Sequence, residues 1–290
     1  MVNLQTFYQD SVSFLQEADI QSPSLDARLI VMRTLGISDV DFITESTTRL
    51  ISDEEQVAVQ HNLNKRREGM PVSKIFGEKE FWGLSFFVNE HCLDPRPDTE
   101  TLVEAVIESY KNHRENALRV VDFGTGSGCI LISLLKEFPN AMGVAVDISF
   151  DALQVAKKNA RSLGVSDRIQ FVCSDWNSAL SVSDENQFDI LVSNPPYIES
   201  DVIHSLDKEV IHFDPILALD GGCEGLNPYK TLIPQLKNLL KKSGKAFFEI
   251  GKGQESDLKR LIEKSGATLS RSYPDIAGII RVVDISCGDK

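Results

Sequence analysis

From about residue 100 onward, runs typical of β-strands alternate with segments that have the apolar periodicity of α-helices. Strands are predicted at 119–123, 141–146, 169–173, 188–192, 245–250, 268–272 and 279–285, and helices at 129–138, 150–163, 229–240 and 255–265. This alternation is typical of α/β proteins, in which helices cover both faces of a mainly parallel sheet. Such proteins bind ligands beyond the carboxyl ends of their strands. We therefore expect the functional residues where these strands end.

The first 75 residues have a different character, because they contain helical patterns without intervening strands. Ser22-Pro23 is predicted to open one helix, and Ser52-Asp-Glu-Glu55 has the spacing of a capping box at the start of another. β-forming residues around Gly83 predict a β-hairpin over 81–88. The sequence thus predicts a helical head, a hairpin and an α/β domain.

Composition and charge limit the classes of protein to which the chain can belong. Its net charge of -13 argues against non-specific binding to nucleic acid, which depends on clustered Lys and Arg. The short basic run Lys65-Arg66-Arg67 is predicted to be a solvated helix face, and the alternative is contact with nucleic acid or with an acidic patch on a partner. Five cysteines without a C-x-x-C pair predict reduced, buried thiols in a cytoplasmic protein and no metal site. No apolar run approaches the length of a membrane span.

A glycine-rich turn follows the first strand of the α/β domain, at Gly124-Thr-Gly126-Ser-Gly128. Glycines at alternate positions let the backbone turn tightly and approach a ligand. Asp147 ends the next strand, 21 residues after Gly126, where a carboxylate can accept hydrogen bonds from both hydroxyls of a ribose. The pair indicates a cofactor that contains adenosine. The alternative is a tight strand-to-helix turn followed by an aspartate that caps a helix.

The spacing of these glycines distinguishes between adenosine cofactors. Dinucleotide-binding proteins have G-x-G-x-x-G, whereas this chain has G-x-G-x-G and no basic side chain in the loop to meet a pyrophosphate. The departure favours S-adenosylmethionine, which has no phosphate. Asp175 and Trp176 follow the third strand, where the carboxylate could bind the adenine amino group and the indole could pack on the ring. Ordinary core packing is the alternative for Trp176.

The fourth strand ends in Asn194-Pro195-Pro196-Tyr197. A planar amide or exocyclic NH2 group is a poor nucleophile, so an enzyme that methylates it must hold both N–H groups and aim the nitrogen. The side-chain oxygen of Asn194 and the carbonyl of Pro195 could each accept one hydrogen bond, while Tyr197 stacks on the planar group. This would be catalysis by positioning and electrostatic fit. A proline-rich turn without chemistry is the alternative.

The chain resembles the peptide chain release factor N5-glutamine methyltransferases, also called protein-(glutamine-N5) methyltransferases. The motifs at Gly124 to Gly128, Asp147 and Asn194 to Tyr197 match the catalytic half of that family, although nucleic-acid amino-methyltransferases share them. More specific matches are "PVSKIFGEKEFWGL" (71–84), "PRPDTETLVE" (95–104), "FDPILALDGGCEGLNPYK" (213–230) and "EIGKGQ" (249–254). Asp94 departs from the family, since an apolar residue is expected before Pro95.

The resemblance implies a Rossmann-like, seven-stranded S-adenosylmethionine-dependent methyltransferase sheet whose last strand is antiparallel. It implies a helical substrate-recognition domain at 1–75, a β-hairpin linker at 76–98 and a catalytic domain at 99–290. The expected reaction is methylation of the glutamine amide in the Gly-Gly-Gln loop of class 1 peptide chain release factors, with no direct role for nucleic acid or membrane. The residues expected to bind the cofactor are Phe123, Gly124, Thr125, Gly126, Ser127, Gly128, Asp147, Asp175, Trp176 and Asn194. The catalytic residues are expected to be Asn194, Pro195, Pro196 and Tyr197.

Three other functions remain open at this point. A ribosomal protein could supply the glutamine in place of a release factor. An adenine or cytosine amino-methyltransferase of nucleic acid would use the same Asn-Pro-Pro-Tyr turn on a flipped base, but it should carry a basic face or a target-reading domain. A non-catalytic binding protein on this fold would be expected to lack Asp147 or Asn194, and both are present.

Overall fold

The structure is a computed structural model that describes residues 2–181, 183 and 187–288. Apart from short 3-10 turns, its elements follow in the order β1 (Val2–Asn3), α1 (Leu4–Gln16), α2 (Pro23–Leu35), α3 (Asp39–Thr44), β2 (Leu50–Ile51), α4 (Asp53–Arg67), α5 (Val72–Phe76), β3 (Glu78–Phe81), β4 (Leu84–Phe87), α6 (Glu100–Tyr110), β5 (Arg119–Phe123), α7 (Cys129–Glu137), β6 (Met142–Asp147), α8 (Phe150–Ser162), β7 (Ile169–Cys173), β8 (Phe188–Ser193), α9 (Lys208–Phe213), α10 (Asn227–Leu232), α11 (Leu236–Leu239), β9 (Leu240–Glu249), α12 (Glu255–Lys264), β10 (Thr268–Pro274) and β11 (Ile280–Ser286).

One compact unit comprises Met1–Gly77 together with Asp207–Phe213, so it contains the helical head and α9. Buried apolar side chains of α1, α2 and α4 form its core, among them Leu4, Ile30 and Leu63. The predicted capping box at the start of α4 is confirmed, because Ser52 Oγ accepts from the Glu55 backbone and the Glu55 side chain accepts from the Ser52 backbone. These bonds satisfy backbone donors that the first turn of a helix leaves free.

Arg66, in the predicted solvated basic run, is buried, and that prediction is wrong for this residue. Its side chain donates to Asp26 Oδ2 (2.7 Å) and also bonds Glu209 of α9. Burial is possible because two carboxylates compensate the loss of water around the guanidinium. Both partners are distant in sequence, so the run of charges alone could not indicate them.

The second unit comprises Glu78–Leu206 and Asp214–Lys290 and contains a seven-stranded sheet in the order β10-β11-β9-β8-β5-β6-β7. Strands β5 to β9 are parallel, and β11 pairs antiparallel with both β9 and β10. Alternate strand residues face opposite sides, so Val120 packs in one apolar cluster and Val121 in the other. The first cluster includes residues of α6 and α7, and the second includes residues of α10 and α12. The predicted α/β architecture, with its last strand antiparallel, is confirmed.

The helix predicted at 229–240 is interrupted. A 3-10 turn over Ile233–Gln235 separates α10 from α11, and β9 begins at Leu240 instead of Lys245. Pro234 has no backbone N–H, so it cannot continue a regular helical ladder. The start of β9 was not predicted because strands are usually recognised by alternating apolar residues. Its second to fourth residues are the polar Lys241, Lys242 and Ser243.

All five cysteines are free thiols, but the expectation that they are all buried is wrong. Cys92 and Cys129 are buried, whereas Cys173 and Cys223 are exposed. Cys173 is exposed because it ends β7, which lies at the edge of the sheet. Within the described residues, no helix has the length and apolar character needed to cross a membrane. The same residues include no group of His, Cys, Asp or Glu that could hold a metal ion.

Candidate active site

A cavity lies at the carboxyl ends of β5, β6 and β8, where the chain order reverses across the sheet. Parallel sheets typically bind ligands at such a reversal. The segment 90–96 and residues 215, 217 and 218 complete its wall. Of the predicted site residues, the cavity is lined by Gly124, Thr125, Gly126, Ser127, Asp147, Asp175, Trp176, Asn194 and Pro196.

The glycine-rich loop has the left-handed backbone for which glycine is best suited. Gly124, Gly126 and Gly128 have φ values of 71°, 54° and 80°. The loop is tied to the neighbouring strand, because the amides of Gly124 and Thr125 donate to the carbonyl of Val146 (2.9 and 3.0 Å). A Cβ at Gly128 would lie 3.2 Å from the Ala156 Cβ, so this glycine permits close packing on α8.

Asp147 ends β6 with its carboxylate held by two backbone amides. Gly126 N donates to Oδ2 (2.8 Å) and Ser149 N donates to Oδ1 (2.9 Å). Burial raises the pKa of Asp147, and the backbone hydrogen bonds oppose that rise. Each oxygen also keeps acceptor capacity for a ligand in the cavity, since a carboxylate oxygen has two lone pairs.

Asp122 is a buried carboxyl group beneath the glycine-rich loop. Thr125 Oγ1 donates to its Oδ2 (2.6 Å), which fixes the loop from below. Burial raises the pKa of Asp122 to about 7, and the nearby charge of Asp147 also raises it. Asp147 lines the cavity, whereas Asp122 is fully buried and supports the cavity wall from beneath the loop.

Trp176 is half-buried and lies against the glycine-rich loop. Its ring carbon Cζ3 would be 3.9 Å from a Cβ added at Gly124. Its φ of 48° lies in the left-handed region that non-glycine residues seldom adopt. Asp175 beside it is exposed at the cavity edge. Together they form one wall of the cavity near Asp147.

Asn194 extends from the end of β8 into the cavity. Its Nδ2 donates to Thr99 Oγ1 (3.2 Å). An amide side chain that donates through its nitrogen to the protein presents its oxygen on the other side. Asn194 Oδ1 can therefore accept a hydrogen bond from a ligand.

Tyr197 anchors the same turn from behind. Its hydroxyl donates to Glu249 Oε1 (3.3 Å), at the end of β9. Burial raises the pKa of Tyr197, and the Glu249 charge raises it further. Glu249 itself is buried, and burial raises its pKa to about 7, while hydrogen bonds with Thr99 and Tyr197 oppose the rise.

Gln254 and a glycine-containing loop hold the backbone of the turn. Gln254 Nε2 donates to the carbonyls of Tyr197 (3.0 Å) and Gly225 (3.3 Å), and its Oε1 accepts from Gly251 N (2.8 Å). A Cβ at Gly221 would lie 2.8 Å from the Pro196 carbonyl oxygen. Only glycine permits so close an approach, so this loop and Gln254 together fix the course of the turn.

Four of the predicted site residues do not line the cavity. Phe123 is fully buried in the core, Gly128 packs on α8, Pro195 is buried, and Tyr197 lies behind the turn.

Several residues that support the site were not singled out from the sequence. They are Thr99, Asp122, Asn159, Glu249 and Gln254. Asn159 bonds the backbone of Phe87 and the carbonyl of Ser127 (2.8 Å), and so joins the hairpin to the glycine-rich loop. Thr99, Glu249 and Gln254 lie in the quoted segments "PRPDTETLVE" and "EIGKGQ", which were the available signal, but no chemistry had been assigned to them.

Comparison with known proteins gives matches over nearly the whole chain. The family model described as PrmC N-terminal domain matches residues 7–77, and the one described as Methyltransferase domain matches residues 114–271. A release factor glutamine methyltransferase of Bradyrhizobium diazoefficiens is 40% identical over 271 residues, which are 93% of this chain and 90% of that protein. One of Caulobacter vibrioides is 38% identical over 269 residues, covering 93% and 91%.

Among solved structures, the catalytic domain of hMettl16, crystallised with an RNA hairpin from a 3′UTR, superposes with a TM-score of 0.57. The match covers 90% of this chain and 92% of that one at 19% sequence identity. At this identity the similarity concerns the fold alone.

Proposed function

Because the chain belongs to the release factor glutamine methyltransferase family, we propose that it methylates the side-chain amide nitrogen of the glutamine in the Gly-Gly-Gln loop of a class 1 peptide chain release factor. S-adenosylmethionine is the proposed methyl donor. The observation that carries the assignment is the orientation of Asn194, whose nitrogen is engaged by Thr99 and whose oxygen is left to accept from a substrate N–H.

The described residues of the cavity fit this cofactor. Asp147 offers carboxylate oxygens of the kind that bind ribose hydroxyls, and Trp176 offers an aromatic face for adenine. The described lining has no lysine and a single arginine, Arg96, whose guanidinium is paired with Asp214 (2.7 Å). Such a wall suits a ligand without phosphate groups. We propose that Phe123 to Gly128, Asp175 and Asn194 complete the cofactor site, with Phe123 and Gly128 acting through the backbone.

The proposed catalysis relies on holding the amide. S-adenosylmethionine supplies a methyl group bound to a positively charged sulfur. Asn194 Oδ1 would accept a hydrogen bond from one N–H group of the glutamine amide. The carbonyl of Pro195 lies outside the cavity lining of this structure, and it would have to be reached by the substrate to accept from the other N–H group. Together the two bonds would direct the nitrogen toward the methyl group. Bound S-adenosylmethionine would give up its methyl group and leave a neutral thioether, and the methylated nitrogen would release one proton to water. The two oxygens stabilise the positive charge that develops on nitrogen. Pro196 and Tyr197 keep the turn rigid.

The helical head is the proposed recognition domain for the rest of the release factor. We retain the division into 1–75 for recognition, 76–98 as linker and 99–290 for catalysis. A glutamine must reach the cavity from an exposed loop, and two preceding glycines would let that loop approach closely. Contacts remote from the reacting atom would supply specificity. Acting on a translation factor, the protein would work in the cytoplasm.

Methyl transfer to purified substrates tests the function. The intact protein is incubated with labelled S-adenosylmethionine and a class 1 release factor, and the modified residue is mapped by mass spectrometry. One methyl group is expected on the loop glutamine, and none on the release factor with that Gln replaced by Ala. Parallel reactions with ribosomal proteins, RNA and DNA serve as controls. Efficient labelling of one of these, without labelling of the release factor, would refute the substrate assignment.

A further inference from the structure

A buried asparagine on α8, Asn159, supports two segments of the cavity wall that are far apart in sequence. We propose that Asn159 is a positioning residue that holds the 88–96 segment and the glycine-rich loop at the spacing that S-adenosylmethionine needs. Val155, on the same helix, supports the 88–96 segment with it. This inference rests on the proposed function, because it concerns the cavity to which the cofactor is assigned.

The oxygen and the nitrogen of the Asn159 amide are both engaged by backbone groups. Oδ1 accepts from the Phe87 N–H (2.7 Å), while Nδ2 donates to the carbonyls of Phe87 (3.0 Å) and Ser127 (2.8 Å). Asn159 is fully buried, so water does not compete for these bonds. Because an amide carries two N–H donors beside its oxygen, this one side chain can bond both backbone segments at once.

The 88–96 segment is the part of the wall that begins directly after Phe87. It forms no helix or strand between the end of β4 and the 3-10 turn that precedes α6. From Glu90 onward, all of its residues line the cavity. Val88 and Cys92 are buried in a small apolar cluster with Val155 of α8. The segment is therefore packed on α8 beside its hydrogen-bonded start.

The glycine-rich loop is attached to the same helix. Its Ser127 carbonyl accepts from Asn159, and its Gly128 lies so close to α8 that an added Cβ would be 3.2 Å from the Ala156 Cβ. Val155 and Asn159 are four positions apart, so they lie on the same face of α8. This helix is thus the common support of both parts of the wall.

A fixed spacing between the two parts favours a ligand that contacts both of them. A wall segment that moves in the free protein must be ordered on binding, and this ordering opposes the affinity. Within the part of the chain that the structure describes, Asn159 makes no hydrogen bond to the turn at 194–197. Loss of its amide should therefore weaken cofactor binding more than it lowers kcat at saturating cofactor.

The test measures cofactor binding by the intact protein and by Asn159→Ala under conditions where urea denaturation shows both to be folded. Calorimetric titration should show a Kd for S-adenosylmethionine raised roughly tenfold, the equivalent of one net hydrogen bond. In methylation assays with the release factor, the KM for the cofactor should rise by a similar factor while kcat changes much less. Hydrogen exchange should become faster in the 88–96 segment of the free variant, and added S-adenosylmethionine should slow it again.

Two further variants separate positioning from a general loss of stability. Val155→Ala breaks no side-chain hydrogen bond and loosens only the apolar contact with the 88–96 segment, so it should raise the Kd by a smaller factor. Tyr110→Phe is the control, because it removes a bond from a buried hydroxyl to the Asp189 carbonyl (2.7 Å), near the start of β8 and away from the cavity. It should lower the free energy of unfolding and leave the Kd unchanged.

An unchanged Kd in folded Asn159→Ala, or an equal rise in Tyr110→Phe, would overturn the inference. If Asn159→Ala does not fold, Val155→Ala decides the matter: a raised Kd with faster exchange in the 88–96 segment supports the inference, and a normal Kd overturns it. A wild type that binds no S-adenosylmethionine would instead refute the proposed cofactor. One that binds it without methylating the release factor would refute the proposed substrate and leave the role of Asn159 standing.

Discussion

Substitution of Gly225 by alanine is expected to displace the turn at residues 194–197, called the acceptor turn below, while Asp147 and the glycine-rich loop stay in place. Gly225 has φ of 66°, and an added Cβ would lie 2.3 Å from the Tyr197 carbonyl oxygen and 2.7 Å from Gln254 Nε2. No real contact is that short, so the turn and Gln254 must both move. The bonds from Gln254 to Tyr197 and to Gly225 would then be lost.

The expected cost combines two contributions. A left-handed conformation costs an alanine about 1–2 kcal/mol, and two lost hydrogen bonds cost about 1 kcal/mol each. The free energy of unfolding should therefore fall by roughly 3–4 kcal/mol. Since a misplacement of about 1 Å in a positioning site can cost on the order of 100-fold in rate, the kcat for methylation should fall by a comparable factor.

Gly83→Ala provides the control for backbone strain alone. Gly83 has φ of 65°, nearly the same as Gly225, but a Cβ there would meet nothing within 4 Å. This variant should lose only about 1–2 kcal/mol and keep its methylation rate. Urea denaturation gives the free energy of unfolding of each variant, and single-turnover labelling of the release factor gives its rate. Calorimetric titration with S-adenosylmethionine shows whether each variant still binds the cofactor. Equal rates in the two variants would refute the reasoning.

Three further substitutions test the site residue by residue. Asp147→Ala should weaken S-adenosylmethionine binding by about 2–3 kcal/mol, because the ribose hydroxyls lose a charged acceptor; an unchanged calorimetric affinity would exclude Asp147 from the site. Asn194→Ala should weaken that affinity much less than Asp147→Ala does, because the main role proposed for its oxygen is toward the substrate amide, but it should slow single-turnover methylation roughly 100-fold, and a normal rate would contradict that role. Asp122→Asn tests the raised pKa of Asp122, about 7 in the folded protein against 3.8 for an exposed carboxyl group. The folded state binds more protons between these values, so wild-type stability should fall with rising pH there by at most about 1.4 kcal/mol per pH unit from this group. The variant should show a shallower fall in urea denaturation, and identical slopes would contradict the assignment.

The convergence of the glycine-rich loop and Asp147 on one cavity could be predicted from the sequence because its determinants are local. The glycine-rich loop and Asp147 lie within a span of 24 residues, and the strands that carry them are short apolar runs. The direct bond from Gly126 N to Asp147 joins two strand ends that any parallel β-α-β unit brings together. Alternation of strands and helices was therefore enough to place them side by side.

The support of the acceptor turn could not be predicted in the same way. Thr99, Asn194 and Glu249 lie at intervals of 95 and 55 residues, and none of them has a local pattern that reveals the others. A threonine after Pro-Asp looks like a helix start, and a glutamate at a strand end looks like a solvated terminus. The buried Arg66 was missed for the same reason, since its partners Asp26 and Glu209 are far along the chain.

The two halves of the site therefore depend on the fold to different degrees. The proposed cofactor contacts come from strand ends that the parallel sheet places together, so we expect changes in segments remote from the cavity to leave cofactor binding intact. The orientation of the acceptor turn depends on Thr99, Glu249, Gln254 and Gly225, which are brought to it from three separate segments. Loss of any one of these supports should lower the rate of methylation before it lowers cofactor affinity. Since a planar amide nitrogen is a poor nucleophile that must be aimed, we expect the rate to depend more on the rigidity of this support than cofactor affinity does.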